Sequence, residues 1–391
     1  MDKKSLDRKI FSIAIFLNVL QDKIINDLCC LLSDKDEAFL NSYGWFISRL
    51  YAENVDLSEY ILKKILEDEN FYIAGKADGK IFDPLIEEAV ENELKIFQEL
   101  SRITPEDITS DIDYDGFLPR WKNSEIDFVN EYKKRIENIG SFGYGKFAQH
   151  RMFILRDGEV LPVKRPDMQR LSELYGYERE RQAVIANTLA LLEGKSAQNV
   201  LLYGDAGTGK SSTVKAVVNE YADRGLRLIE LTKEQLRDIP RIIESISGNP
   251  LKFIIFIDDL TFTSGEDCFG SLKAALEGSV SARAKNAAIY ATSNRRHLVR
   301  ESFSDRSGDD IHRNDTMQET LSLSARFGLR VNFIRPDKKA YIAIASQLAK
   351  QNGIEIRDEE LALKAEQFAV QGSGRSPRTA KQFVNQLMME M

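Results

Sequence analysis

The chain has 391 residues, 43% of them hydrophobic and 29% charged, with a formal net charge of −7. This is ordinary globular composition, long enough for two or three domains that bury their own cores without staples. Three cysteines, Cys29 and Cys30 adjacent and Cys268 alone, form neither a disulfide framework nor a CxxC metal pair, which fits a reducing, cytoplasmic setting. The apolar run Ile10 to Leu20 is broken by Ser12 and Asn18 and lacks a cleavage site. No stretch approaches the ~18 apolar residues of a membrane span, so no membrane partner is expected.

The charge is uneven. Residues 1–150 hold 19 Lys+Arg against 29 Asp+Glu, and the remainder hold 35 against 32. The acidic front half is most simply a solvated face, and it lacks the clustered Lys and Arg that duplex DNA requires.

Residues 1–140 read as a mainly helical domain. Segments Ile10 to Leu32 and Leu57 to Leu66 space Ile, Leu and Phe three and four apart, with Ser58 a candidate cap. Pro84, Pro105 and Pro119 punctuate the later part of this domain. Residues 141–170, with Gly143, Gly145, Pro162 and Pro166, read as a connector. The Gly140, Gly143, Gly145 spacing is a weak dinucleotide signal, because no apolar strand leads into it. From 171 to 335 strands and helices alternate. Strands are expected at Asn199 to Tyr203, Leu226 to Leu231, Phe253 to Ile257, Ala287 to Thr292 and Arg330 to Ile334. That pattern gives a parallel sheet with helices on both faces. Residues 336–391 read as helical again.

Gly204-Asp205-Ala206-Gly207-Thr208-Gly209-Lys210-Ser211 fits G-x-x-x-x-G-K-[ST], follows a strand and opens a helix. Its glycines let backbone N–H groups wrap phosphate, with Ser212 next in the loop. Lys210 is expected to reach the β- and γ-phosphates and Ser211 to ligate Mg²⁺. Phe253 to Ile257 delivers Asp258 and Asp259 at a strand's carboxyl end, where ligands bind in open α/β sheets. Asp258 is expected near Mg²⁺. Asp259 stands where most AAA+ ATPases carry Glu, and its carboxylate is one methylene shorter, which predicts slow hydrolysis. Asn294, ending the strand Ala288 to Ser293, fits a sensor-1 position. Arg326 stands where such proteins carry an arginine finger, which a neighbouring subunit supplies at a value of ~10³–10⁵ in rate in well-studied GTPases. Gly374 to Ala380 resembles a sensor-2 motif, with Pro377 pre-organising a helix start. Arg378 is favoured there over Arg375. Tyr177, or the Gly176 backbone, is a candidate for the base pocket, although Tyr177 also suits ordinary packing.

The combination Gly-Tyr-Glu (176–178), GDAGTGKSS (204–212), DDLTF (258–262), LEG (276–278), YATSNRRHL (290–298) and LSLSARFGL (321–329) resembles an uncharacterised bacterial AAA+ family, a domain of unknown function with predicted ATPase activity. The likeness runs from about 140 to the C-terminus. It implies an α/β P-loop NTPase fold with a C-terminal helical lid, ATP and Mg²⁺ as ligands, and no particular substrate. The family pattern has an acidic residue where Ala325 stands, which puts the positioning of Arg326 in doubt. Arg295, Arg296 and His297 suggest subunit contacts.

Other signals fail. Asp111 to Gly116 begins like a calcium loop, but position twelve is Lys122 rather than Glu. His150, His297 and His312 are too scattered for zinc. The aromatic-hydrophobic-Gly pore loop of unfoldases is missing at Glu230 to Glu234, and Phe269-Gly270 is misplaced for one. The stretch Ser302 to Asp315 reads as a polar, mobile loop. The expected function is an oligomeric ATP-dependent ATPase that recruits a macromolecular partner through residues 1–140. The alternatives are a slow-hydrolysing switch or scaffold, and a helicase-loader-like ATPase, although no basic stripe supports nucleic-acid binding. A P-loop kinase would not carry the finger, the lid and the paired aspartates together.

Overall fold

The computed structural model describes residues 3–33, 39–110, 112–260, 285–294, 325–372 and 374–390, with 270, 272, 273 and 276 between them. Arg295, Arg296, His297, the 302–315 loop, Phe269, Thr261, Phe262, residues 277–278 and 321–324, and Asp111 at the head of the rejected calcium loop lie outside the described residues. So do Cys268 and His312. The chain divides into two compact units, Met1–Gln149 with Gly248–Pro250, and His150–Ser247 with Leu251–Met391.

The first unit is helical. Its core gathers Phe16, Tyr43, Phe46, Leu50, Ile61, Phe97, Trp121, Phe128 and Tyr132, all buried. The apolar stretch expected from Ile10 to Leu32 is three helices, Lys3–Ile10, Leu17–Leu20 and Lys23–Ser33. Two carboxylates impose the breaks. Glu93, 6% exposed, accepts hydrogen bonds from the backbone N–H groups of Ala14, Ile15 and Phe16 at 2.9–3.2 Å. Asp22 Oδ1 accepts from Ile24 N and Ile25 N, which caps the third helix. Helix Leu57–Glu67 is likewise capped by Asp56, which accepts from Ser58 N and Glu59 N. Ser58, the expected cap, is buried in the first turn and donates its hydroxyl to Ser101 O. Pro84 and Pro105 each occupy a first helical turn, behind the caps Asp83 and Thr104.

The second unit holds a seven-stranded sheet in the order β2-β1-β4-β5-β6-β3-β7. Its strands are β1 (Met152–Arg156), β2 (Glu159–Pro162), β3 (Val200–Gly204), β4 (Leu226–Leu231), β5 (Lys252–Ile257), β6 (Ala287–Ser293) and β7 (Leu329–Phe333). All neighbours pair in parallel except the β1–β2 hairpin. That hairpin lies within residues expected as a connector. Its two-residue turn is Asp157-Gly158, with φ of 51° and 77°, the conformation for which Asp-Gly is favoured. Helices Glu178–Leu192, Lys210–Tyr221 and Ile239–Ile246 accompany the sheet. β5 is fully buried from Phe253 to Ile257, as a central strand covered on both faces must be. Helices Lys338–Gln351, Asp358–Gln371 and Pro377–Glu390 form a C-terminal bundle with its own core of Tyr341, Ile344, Leu361, Phe383 and Val384. Among the described residues no helix is long and apolar enough to cross a membrane.

The Glu93 interaction can be tested. Removing the carboxylate strands N–H donors of two buried residues, Ile15 and Phe16. Glu93→Ala is therefore expected to destabilise the helical unit by about 3 kcal/mol. Chemical denaturation of the full chain reads this directly, and a loss below about 1 kcal/mol would mean that solvent replaces the carboxylate at those donors.

Candidate functional site

The loop leaving β3 can turn as it does only because residue 204 has no side chain. Gly204 has φ of 129°, and a Cβ there would stand 2.3 Å from Phe333 O of β7. Asp205 N donates to that same carbonyl at 3.0 Å. Gly207 and Gly209 also hold positive φ, 77° and 93°. Thr208 Oγ1 closes the loop by donating to Asp205 O at 2.8 Å. Helix Lys210–Tyr221 then starts with its free N–H groups facing the loop, the arrangement that binds phosphate.

Lys210 is 6% exposed, and its ammonium donates to Gly204 O, Asp205 O and Asn294 Oδ1 at 3.0, 2.7 and 3.0 Å. Burial pushes its pKa below the ordinary lysine value, against the pull of Asp205, Asp259 and Asp258. Ser211 Oγ donates to Asp258 Oδ1 at 2.6 Å. Asn294 Nδ2 donates to Asp259 Oδ1 at 2.7 Å. The Asn294 amide thus bridges the lysine and the second aspartate. Asp259 has φ of 51°, in the left-handed region that Asp tolerates better than longer side chains.

These residues border one cavity of about 440 Å³ at the carboxyl edge of the parallel strands. Ala206 to Thr213, Asp258, Asp259, Thr292 and Asn294 line its polar side. Leu174, Tyr175, Phe333, Ile344 and Leu348 line its apolar side. The lid reaches in through Arg378 and Lys381. Arg378 N also donates to Gly207 O at 3.2 Å, which ties the last helix to the loop. Arg375 is paired with Glu366 instead and does not line the cavity.

Two candidates stand elsewhere. Tyr177 is not a lining residue: its ring stacks on Phe333 at 5.2 Å and its hydroxyl donates to Ile334 O at 2.7 Å. Tyr177 itself adopts the left-handed conformation, φ 60°, at the start of helix Glu178–Leu192. Tyr175, two residues earlier, faces the cavity, and its hydroxyl donates to Gln351 Oε1. Arg326 precedes β7 and lies outside the lining of its own chain's cavity.

Sequence reasoning passed over Tyr175, Arg181, Thr292, Lys381 and the segment around Gln169 and Glu173, all of which line the cavity. Asn219 on the loop's helix holds that segment by donating to Asp167 O and Gln169 O. The Thr292 signal was available two residues before Asn294. The others depend on the lid and the segment folding over the site.

The lining residues separate the two tyrosines experimentally. Tyr177→Phe is expected to lower stability by about 1 kcal/mol and to change nucleotide affinity by less than about twofold. Tyr175→Ala is expected to weaken nucleotide affinity roughly tenfold through lost aromatic contact. A titration with a fluorescent nucleotide analogue decides it, and the reverse order would return the base contact to Tyr177.

Parts of the chain are similar to known proteins. Over 116 residues the chain is 31% identical to the replication factor C large subunit of Staphylothermus marinus, a match covering 28% of this chain and 27% of that protein. Over 71 residues it is 38% identical to the 26S proteasome regulatory subunit 4 homolog of Saccharomyces cerevisiae, covering 17% and 16%. Among solved structures it resembles the RuvB Holliday junction branch migration motor of Thermotoga maritima, with a TM-score of 0.37, 17% identity, and 56% of this chain and 64% of that one covered. The chain therefore spans less than two thirds of each of these relatives, and its fold is read from its own strand order and loop. Residues 148–391, more than half of the chain, match the family described as "Protein of unknown function (DUF815)", and the chain belongs to that family, built on an AAA+ P-loop nucleotide-binding fold with a helical lid.

Proposed function

We propose that the chain is a Mg²⁺-dependent ATPase that works as a homo-oligomer and engages a macromolecular partner through residues 1–140. The observation that carries this is the convergence of Lys210, Ser211, Asp258, Asp259, Asn294 and Arg378 on one cavity. In this reading the backbone from Gly204 to Ser212 cradles the phosphates, and Lys210 exchanges its loop carbonyls for phosphate oxygens. Ser211 and Asp258 bring a hydroxyl and a carboxylate within 2.6 Å of each other. Those hard oxygen donors suit Mg²⁺, which takes one or two protein ligands beside phosphates. The ion, when bound, neutralises charge developing on the phosphates. Asp259 and Asn294 orient the attacking water, and Arg378 contacts the phosphates from the lid.

Arg326 is assigned to a neighbour's site. β3 and β7 run parallel, with Val200 opposite Leu329 and Gly204 opposite Phe333. The loop leaves at the carboxyl end, and Arg326 lies before the amino end, so a five-residue strand, about 17 Å long, separates them. That distance supports action between subunits rather than within one.

Asp259 supports a second reading, a slow switch in which binding matters more than turnover. Its carboxylate is short and already engaged by Asn294. The left-handed backbone at this position favours Asp over Glu, so geometry and chemistry pull in opposite directions there.

The decisive measurement is the ATPase rate per subunit against protein concentration, with Mg²⁺ and saturating ATP. A steep rise that Arg326→Ala abolishes and Lys210→Ala removes at every concentration is the expected outcome. A rate near zero at all concentrations, with ATP bound, would establish the switch. Loss of ATP binding in neither Lys210→Ala nor Arg378→Ala would overturn the site.

A further inference from the structure

We infer that Thr292 is a positioning residue that sets both aspartates of the site, and this rests on the ATPase reading above. Thr292 lies near the end of β6, 2% exposed, opposite Leu202 of β3. Its hydroxyl donates to Asp258 Oδ1 at 2.5 Å and accepts from Asp259 N at 2.9 Å. Its carbonyl accepts from Leu260 N at 2.7 Å. One residue therefore holds three consecutive residues where the chain leaves β5.

The consequences differ for the two acids. Asp258 Oδ1 accepts from Ser211, from Thr292 and, at 3.1 Å, from Asp259 N. With that oxygen held by donors, the carboxylate plane is fixed beside Ser211, the other residue proposed to hold Mg²⁺. Removal of such a partner from a metal-binding carboxylate commonly costs 10–100-fold in metal affinity or activity. For Asp259 the effect is on the backbone. A non-glycine residue at φ 51° persists only when its surroundings over-determine it, and the hydrogen bond from Asp259 N to Thr292 supplies part of that constraint. A merely buried threonine would need only one acceptor for its proton. Here the hydroxyl is spent on the two groups that the proposed chemistry uses.

Thr292→Val keeps the shape, the β-branching and the carbonyl bond to Leu260, and deletes only the hydroxyl. Thr292→Ser keeps the hydroxyl and deletes a methyl group. Affinity for a fluorescent ATP analogue is measured with Mg²⁺ and with EDTA, together with ATP turnover. Thr292→Val is expected to bind metal-free nucleotide within about twofold of wild type, while its Mg²⁺-dependent gain in affinity and its kcat both fall about tenfold or more. Thr292→Ser is expected to retain most of both. The inference is overturned if Thr292→Val keeps the Mg²⁺ gain and kcat, or if Thr292→Ser loses as much as Thr292→Val, which would assign the effect to packing. A wild-type protein with no Mg²⁺-dependent gain overturns the metal reading of the site itself, and the inference with it.

Discussion

The second unit is organised around the contact between Gly204 and the Phe333 carbonyl. β3 lies between β6 and β7, so its exit must clear a neighbouring backbone on either side. Without a Cβ at 204 the chain passes that carbonyl and Asp205 N binds it. Asp205 is then placed to accept from Arg335 N at 2.9 Å, and its carboxylate lies near the Arg335 guanidinium. Tyr177 completes the cluster by stacking on Phe333 and bonding Ile334 O. The phosphate loop, the exit of the last strand and the entry into helix Glu178–Leu192 are thus built on one close approach, and a side chain at 204 would disturb all three.

The chemistry gathered there divides between elements that were readable and elements that were not. The loop Gly204 to Ser211 and the strand ending in Asp258 and Asp259 carry their context locally, in an apolar run followed by glycines or carboxylates. Four strands were legible for the same reason, because a central parallel strand is largely a run of apolar residues, and the fifth, the edge strand β7, shows instead the alternation of Leu329, Val331 and Phe333 with Arg330 and Asn332. The β1–β2 hairpin carries a short-range signal, Asp157-Gly158 flanked by apolar residues, but it is set between Gly143, Gly145, Pro162 and Pro166, whose composition is that of a connector. Its pairing with β4 is long-range and leaves no local trace.

Side-chain direction was harder to read than secondary structure. Tyr175 and Tyr177 differ by two positions, yet Tyr175 lines the cavity while the Tyr177 ring is held on Phe333 and its hydroxyl on Ile334 O. Asp56 caps the helix in place of Ser58, with Lys122 paired across from it and Ser124 donating to its other carboxylate oxygen. Arg375 and Arg378 share a motif, but Glu366, on the preceding helix, takes one and leaves the other at the cavity. In each case the deciding partner lies far away in sequence or on another element.

The bond from Arg378 N to Gly207 O joins the lid to the phosphate loop through main chain on both sides. Arg378 is the second residue of a 14-residue helix whose buried side chains, Phe383, Val384 and Leu387, belong to the lid core. A helix of that length spans about 21 Å and bends little. Any rearrangement of the loop around a ligand therefore acts at one end of a stiff lever whose far end is embedded in a packed bundle. A displacement of Gly207 is therefore passed along the helix to Phe383, Val384 and Leu387 rather than absorbed in its first turn.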